Sequence, residues 1–142
     1  MTKNEAVELA VRWWVQQIGN CADGSATLID PTMQAFLTVG RMSLRQPTTE
    51  QIAIFSETLA AGITALLSDA PWDEDNPDRG AGLRIVYVDW SLDKLLNDAV
   101  QAAGFNSLLL PFKTMMMINP DRLRVRVGEG GDLTDVLPDL NR

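Results

Sequence analysis

The spacing of apolar residues changes midway along the chain, and this change restricts the fold more than any other feature. Up to Leu67 the apolar positions recur every three or four residues, as along one stripe of a helix. Beyond Leu83, short β-branched runs alternate with one further helical stretch. Chains that segregate the two periods in this way form α+β domains.

The helical half opens with Thr2 and Glu5 at the spacing of a capping box. Val7, Ala10, Val11, Trp14, Val15 and Ile18 follow on one face, and Gly19 is a natural stop. Asp30-Pro31 predicts a helix over 31–44, which would gather Met33, Phe36, Leu37, Gly40 and Leu44. The alternation Phe36, Thr38, Gly40, Met42, Leu44 also fits a strand there. After Gln46-Pro47, Thr48 with Gln51 repeats the capping-box spacing, and Ile52, Phe55, Leu59, Ile63 and Leu66 form a stripe. The run LAAGITALL is apolar nearly all round, so this helix should be buried on several sides or against another chain.

A cluster of structure breakers, APWDEDNPDRGAG, occupies 70–82. Leu83 to Val88 then reads as a strand. Ser91 is positioned to cap a helix carrying Leu92, Leu95, Leu96, Ala99, Val100 and Ala103, ended by Gly104. Strand-like runs at Phe112–Ile118 and Arg122–Val127 are joined by Asn119-Pro120-Asp121, whose residues suit a hairpin turn. The glycine-rich end suggests one helical turn from Asp132 to Pro138. The expected architecture is three N-terminal helices followed by β-α-β-β, with a small, mainly antiparallel three-stranded sheet covered by helices on one face. We expect one domain over 1–142: a helical half (1–68), a β-α-β-β half (83–128) and an acidic tail (129–142). At 142 residues it can bury a core without metals or disulfides. The sheet's two open edges and the apolar helix suggest a homodimer.

Composition removes several kinds of chemistry. The chain has no histidine, which excludes Ser-His-Asp and Cys-His machinery and the HExxH zinc site. Nineteen acidic against twelve basic residues give a net charge of −7. That field disfavours nucleic acid and favours a basic protein partner. Cys21 is alone, so no internal disulfide forms, and without histidine beside it an inert thiol is expected. The N-terminus carries acids and an arginine where a secretory signal needs an apolar run, and no stretch reads as a bilayer span. A cytoplasmic location without membrane association is the expectation, and no cofactor is implied.

Four groups of residues could carry function. Arg122, Arg124 and Arg126 alternate with Leu123, Val125 and Val127. On a strand they would form a cationic row about 7 Å apart, suited to carboxylates or phosphates; the plainer alternative is a polar face whose arginine heads pair with the acidic loop. Met115-Met116-Met117 lies on the neighbouring run. If Met116 faces inward, Met115 and Met117 lie outward with Lys113 beside the arginines, a mixed apolar and cationic surface. Trp14 fits the core stripe of its helix, whereas Trp13, turned by about 100°, could serve as an interface anchor. Asp73, Glu74, Asp75 and Asp78, with Asp89 near by, are oxygen donors for a hard cation, but Pro77 and Arg79 break the EF-hand pattern. Gly128-Glu129-Gly130-Gly131 lacks the lysine and hydroxyl of a phosphate loop and is expected to be a turn. The reading that follows is a non-enzymatic protein-interaction module of adaptor or toxin-neutralising type. An anion-binding domain using the arginine row is the alternative, and a carboxylate-based metalloenzyme the third.

Overall fold

A computed structural model describes residues 1–18, 45–89, 91–128 and 130–138. Helix α1 (Lys3–Gln17) begins at a complete capping box between Thr2 and Glu5. Helix α2 (Thr49–Ser68) begins at the equivalent box between Thr48 and Gln51. In both, the cap hydroxyl accepts an N–H that has no partner within the helix, and the third residue's side chain accepts the cap's own N–H in return. The helix expected over 31–44 lies outside the described residues.

Strand β1 (Ile85–Val88) leads to helix α3 (Lys94–Ala103), then to β2 (Thr114–Ile118), β3 (Leu123–Val127) and a two-residue β4 (Thr134–Asp135). The α+β expectation holds, with several corrections. Leu83 belongs to a 3-10 turn over Ala81–Leu83 rather than to β1. Helix α3 is capped by Asp93, whose carboxylate accepts the Leu95 N–H, and not by Ser91. Residues 91–93 instead lie back along β1: Val88 and Leu92 form an isolated antiparallel bridge, and Asp93 N–H donates to the Tyr87 carbonyl. The expected helical turn after Asp132 is replaced by β4, whose Thr134 and Asp135 pair with Val125 and Arg124. The sheet is therefore four-stranded, in the order β1-β2-β3-β4, antiparallel throughout.

One face of the sheet meets the helices. Val86, Val88, Thr114, Met116, Ile118, Leu123 and Val125 point inward, alternating with outward neighbours as strand geometry requires. They join Ala6, Ala10 and Trp14 of α1, Phe55, Leu59, Ile63 and Leu67 of α2, and Leu96, Ala99 and Val100 of α3 in one core. Each fully buried Leu, Ile or Phe here contributes about 1.5–3 kcal/mol. At Gly62 the Leu95 side chain of α3 packs directly on the α2 backbone, where an added Cβ would stand 2.8 Å from Leu95 Cδ2. Helix α2 is, by length and composition alone, long and apolar enough to cross a membrane, contrary to the reading of the sequence. In the fold its Phe55–Leu59–Ile63–Leu67 stripe is buried against the neighbouring elements.

A buried cation ties the loops to the sheet. Arg84 is fully buried, and each of its five N–H groups has an acceptor. Nε donates to the Ile118 carbonyl (2.6 Å). Nη1 donates to the carbonyls of Pro71 (2.5 Å) and Arg79 (2.8 Å), and Nη2 to the Pro77 carbonyl (2.8 Å) and Asn119 Oδ1 (2.9 Å). Asn119 in turn donates to Asp78, and the guanidinium carbon lies 5.8 Å from the Trp72 ring. Burial lowers the Arg84 pKa from its ordinary value, and the Asp78 charge opposes that shift. The loop that wraps this group turns at Gly80, whose φ of 72° is left-handed and where a Cβ would strike the Pro71 ring at 2.7 Å. Arg84→Met should strand several carbonyls in the interior and lower the unfolding free energy by about 3–5 kcal/mol. Urea denaturation measures the loss, and hydrogen exchange should show it centred on residues 71–84.

Candidate functional site

The outer face of the sheet gathers most of the residues expected to bind a partner. Register places Tyr87 opposite Met115 and Met115 opposite Arg126. One step along, Ile85 faces Met117 and Met117 faces Arg124. Two rows thus run from an apolar side chain on β1, over a thioether on β2, to a guanidinium on β3. Neighbouring strands lie about 4.8 Å apart, so each row spans about 10 Å. Met116 packs inward with Thr114 and Ile118, leaving Met115 and Met117 outward and half-buried, as the alternation predicts. Tyr87 is 47% exposed and Leu83, in the turn before β1, is 59% exposed.

Arg124 and Arg126 are half-buried beneath this surface. Arg124 Nη2 lies 3.5 Å from Met117 Sδ, but among the described residues neither arginine has a carboxylate partner. The Nε atoms of both are shielded from solvent and without an acceptor among the described residues. The row of three arginines expected from the sequence is therefore a pair. Arg122 precedes β3, is exposed beside Asp121 (3.9 Å) and Asp135 (4.0 Å), and lines a separate cleft with Glu5, Glu8 and Arg12 of α1. Among the described residues, the arginine heads of the pair do not reach the acidic loop.

The end of this face is a cleft of about 540 Å³ bounded by Ile85, Tyr87, Asp89, Lys113, Met115 and Arg126. Lys113 sits just before β2 with φ at 54°, the positive value among the described non-glycine residues. Its carbonyl accepts the N–H of Gly128, itself at φ 90°, so both strands of the hairpin turn sharply at this end. The Lys113 ammonium is ion-paired to Asp89 at the end of β1.

The remaining candidates lie elsewhere. Trp13 is half-buried, meets Trp14 edge-on (centroids 5.0 Å apart, planes at 86°) and lines a recess with Leu9, Val136 and Leu137 between α1 and the segment around β4. It does not join the sheet face. Asp73 Oδ1 accepts N–H groups of Asp75 and Asn76, closing its own turn, while its Oδ2 lies 3.9 Å from Arg79. Asp78 accepts from Asn119. Glu74 and Asp75 are exposed. Among the described residues no three His, Cys, Asp or Glu side chains converge to hold a cation. Cys21 and Glu129 fall outside the described residues. Sequence reasoning missed Tyr87, Ile85 and Leu83; the signal was the strict alternation of LRIVYV, whose two faces differ only in which one carries the arginine.

A four-stranded meander with helices packed on one face is the architecture of the BTG/Tob class. Superposed on a doubly substituted form of the C. elegans FOG-3 BTG/Tob domain, the chain aligns with a TM-score of 0.61 over 97% of its own length and 85% of that chain, at 20% identity. A model of the BTG family matches residues 33–137, and the chain belongs to that family. Over 66 residues it is 29% identical to Protein BTG1 of Homo sapiens, and equally to those of Mus musculus and Gallus gallus, a match covering 44% of this chain. The match spans about two fifths (39%) of those relatives' own length.

The conformation of Lys113 makes a test of the cleft's construction. A left-handed β-branched residue is costly, so Lys113→Val should destabilise the fold by about 1–2 kcal/mol more than Lys113→Gly, both variants losing the Asp89 pair alike. Paired chemical denaturation curves measure the difference.

Proposed function

We propose that the chain is a non-enzymatic protein-interaction domain and that the outer sheet face is where its partner docks. The observation that carries this reading is the contiguous surface of Leu83, Ile85, Tyr87, Met115, Met117, Arg124 and Arg126, backed by a rigid core. Tyr, Met and Arg are enriched at interfaces: Tyr buries a large ring and keeps a polar hydroxyl, and Arg brings a planar fork of donors. Methionines add the capacity to adjust to a partner's shape. An adaptor role suits this arrangement, since a small domain with a firm sheet and one adhesive face can hold a partner without acting on it. Membership of the BTG family supports the interaction reading and lends nothing to a toxin-neutralising one.

The experiment removes area and leaves charge alone. Tyr87→Ala with Met115→Ala should reduce the proteins retained from a cell extract by the immobilised domain more than tenfold, as loss of a central anchor does. The melting temperature should move by only a few degrees, since both side chains are outward. Unchanged retention by a folded double variant would assign the docking surface elsewhere.

A further inference from the structure

The sheet face carries an asymmetry that bears on what docks there. In a chain with a net charge of −7, carboxylates are abundant, and two of the sheet's cations have found them: Lys113 with Asp89, and Arg122 with Asp121 and Asp135. Among the described residues Arg124 and Arg126 have not, although Asp135 stands opposite Arg124 in the strand register. Their Nε–H groups are shielded from solvent and lack acceptors among the described residues. A guanidinium is satisfied only when its fork of donors meets oxygens, and a carboxylate meets two donors at once. Both groups stand at the same end of a row, one starting with exposed Tyr87 and the other with half-buried Ile85.

We infer that this face recognises an acidic peptide segment of a partner protein, in which an apolar side chain lies on Tyr87 and Met115 while a carboxylate reaches Arg126, or the equivalent pair over Met117 and Arg124. This rests on the sheet face being the docking surface. The row fixes the spacing: about 10 Å from β1 to β3 is the reach of two or three residues of extended or polyproline-like chain. The second row, about 7 Å along the strands, offers Arg124 to a second carboxylate, so segments with two acids on the same side of the apolar residue fit best. The pairing also sets the chemical preference. The domain's overall negative field weakens the attraction of acidic segments to its surface at large, so the two arginines without carboxylate partners among the described residues carry the local attraction.

Short synthetic peptides with one fixed Phe, and Glu, Gln, Lys or phosphoserine scanned along both sides of it, test this by fluorescence anisotropy on the full chain at low and physiological salt. Glu two or three residues from Phe should bind about tenfold more tightly than Gln at the same place, Lys should bind worst, and added salt should narrow the gap. In Arg126→Gln with Arg124→Gln the preference for Glu over Gln should vanish, while the Phe contribution remains. Peptides that bind equally well with Glu, Gln or Lys, yet are lost in the Tyr87→Ala, Met115→Ala variant, overturn the acidic preference and leave the docking face standing. Failure of every peptide to bind also overturns it, and the extract experiment on that same double variant then decides the docking face separately. Binding only when the acid is replaced by phosphoserine would overturn it too, in favour of a phosphate-reading surface.

Discussion

A guanidinium taken wholly out of water must find all its acceptors inside the protein, and Arg84 finds them on separate pieces of chain. The carbonyls of Pro71, Pro77 and Arg79 belong to a loop with no regular structure, that of Ile118 ends β2, and Asn119 opens the hairpin turn. None of these acceptors is a full charge, so the attraction is distributed and every contact is directional. A loop whose carbonyls would otherwise need water is thereby held against the sheet. The position of the Ala81–Leu83 turn, and with it the entry to β1 and the exposed Leu83, follows from this clamp. The outer face inherits its shape from a residue that is not on it.

Much of the fold could be read directly. Helices α1 and α2 start where their capping boxes stand, α3 follows its apolar stripe to Gly104, and the β2–β3 hairpin turns at Asn119-Pro120-Asp121. These signals are local: a hydroxyl three residues from an acid or amide, a glycine at a left-handed end, a proline that fixes φ. Where the reading failed, tertiary context decided. In LRIVYV the alternation marks a strand but does not say which set faces inward. The structure buries Arg84, Val86 and Val88, because enough carbonyls surround Arg84 to replace its water. Ser91 lost the cap to Asp93 because the chain first folds back along β1. The short β4 left no alternation to detect, since two residues cannot show a period.

The candidate site was legible in part for the same reasons. Alternation alone put Met115 and Met117 opposite to Met116 and aligned Arg124 with Arg126. It could not show that Arg122 lies one residue before the strand, where Asp121 and Asp135 hold it, nor that Trp13 turns toward Val136 and Leu137. Cross-strand partners are set by register, a property of two segments together, and so the union of Tyr87 with Met115 and Arg126 had no signature in either run. The BTG-family match covers the sheet and α3 together with α2. It thus includes every residue of this face, while at 20% identity the FOG-3 domain speaks only for the shared backbone.

The return of residues 91–93 along β1 has a consequence for how copies of this chain behave at high concentration. An incoming strand that tried to lengthen the sheet past Val88 would meet Leu92 already in place and the Tyr87 oxygen already taken. Among the described residues, the first residues of β1 alone leave that edge uncovered, too short a ledge for another molecule to grip firmly. The far end of the β1 edge thus carries its own stopper against pairing with a foreign strand.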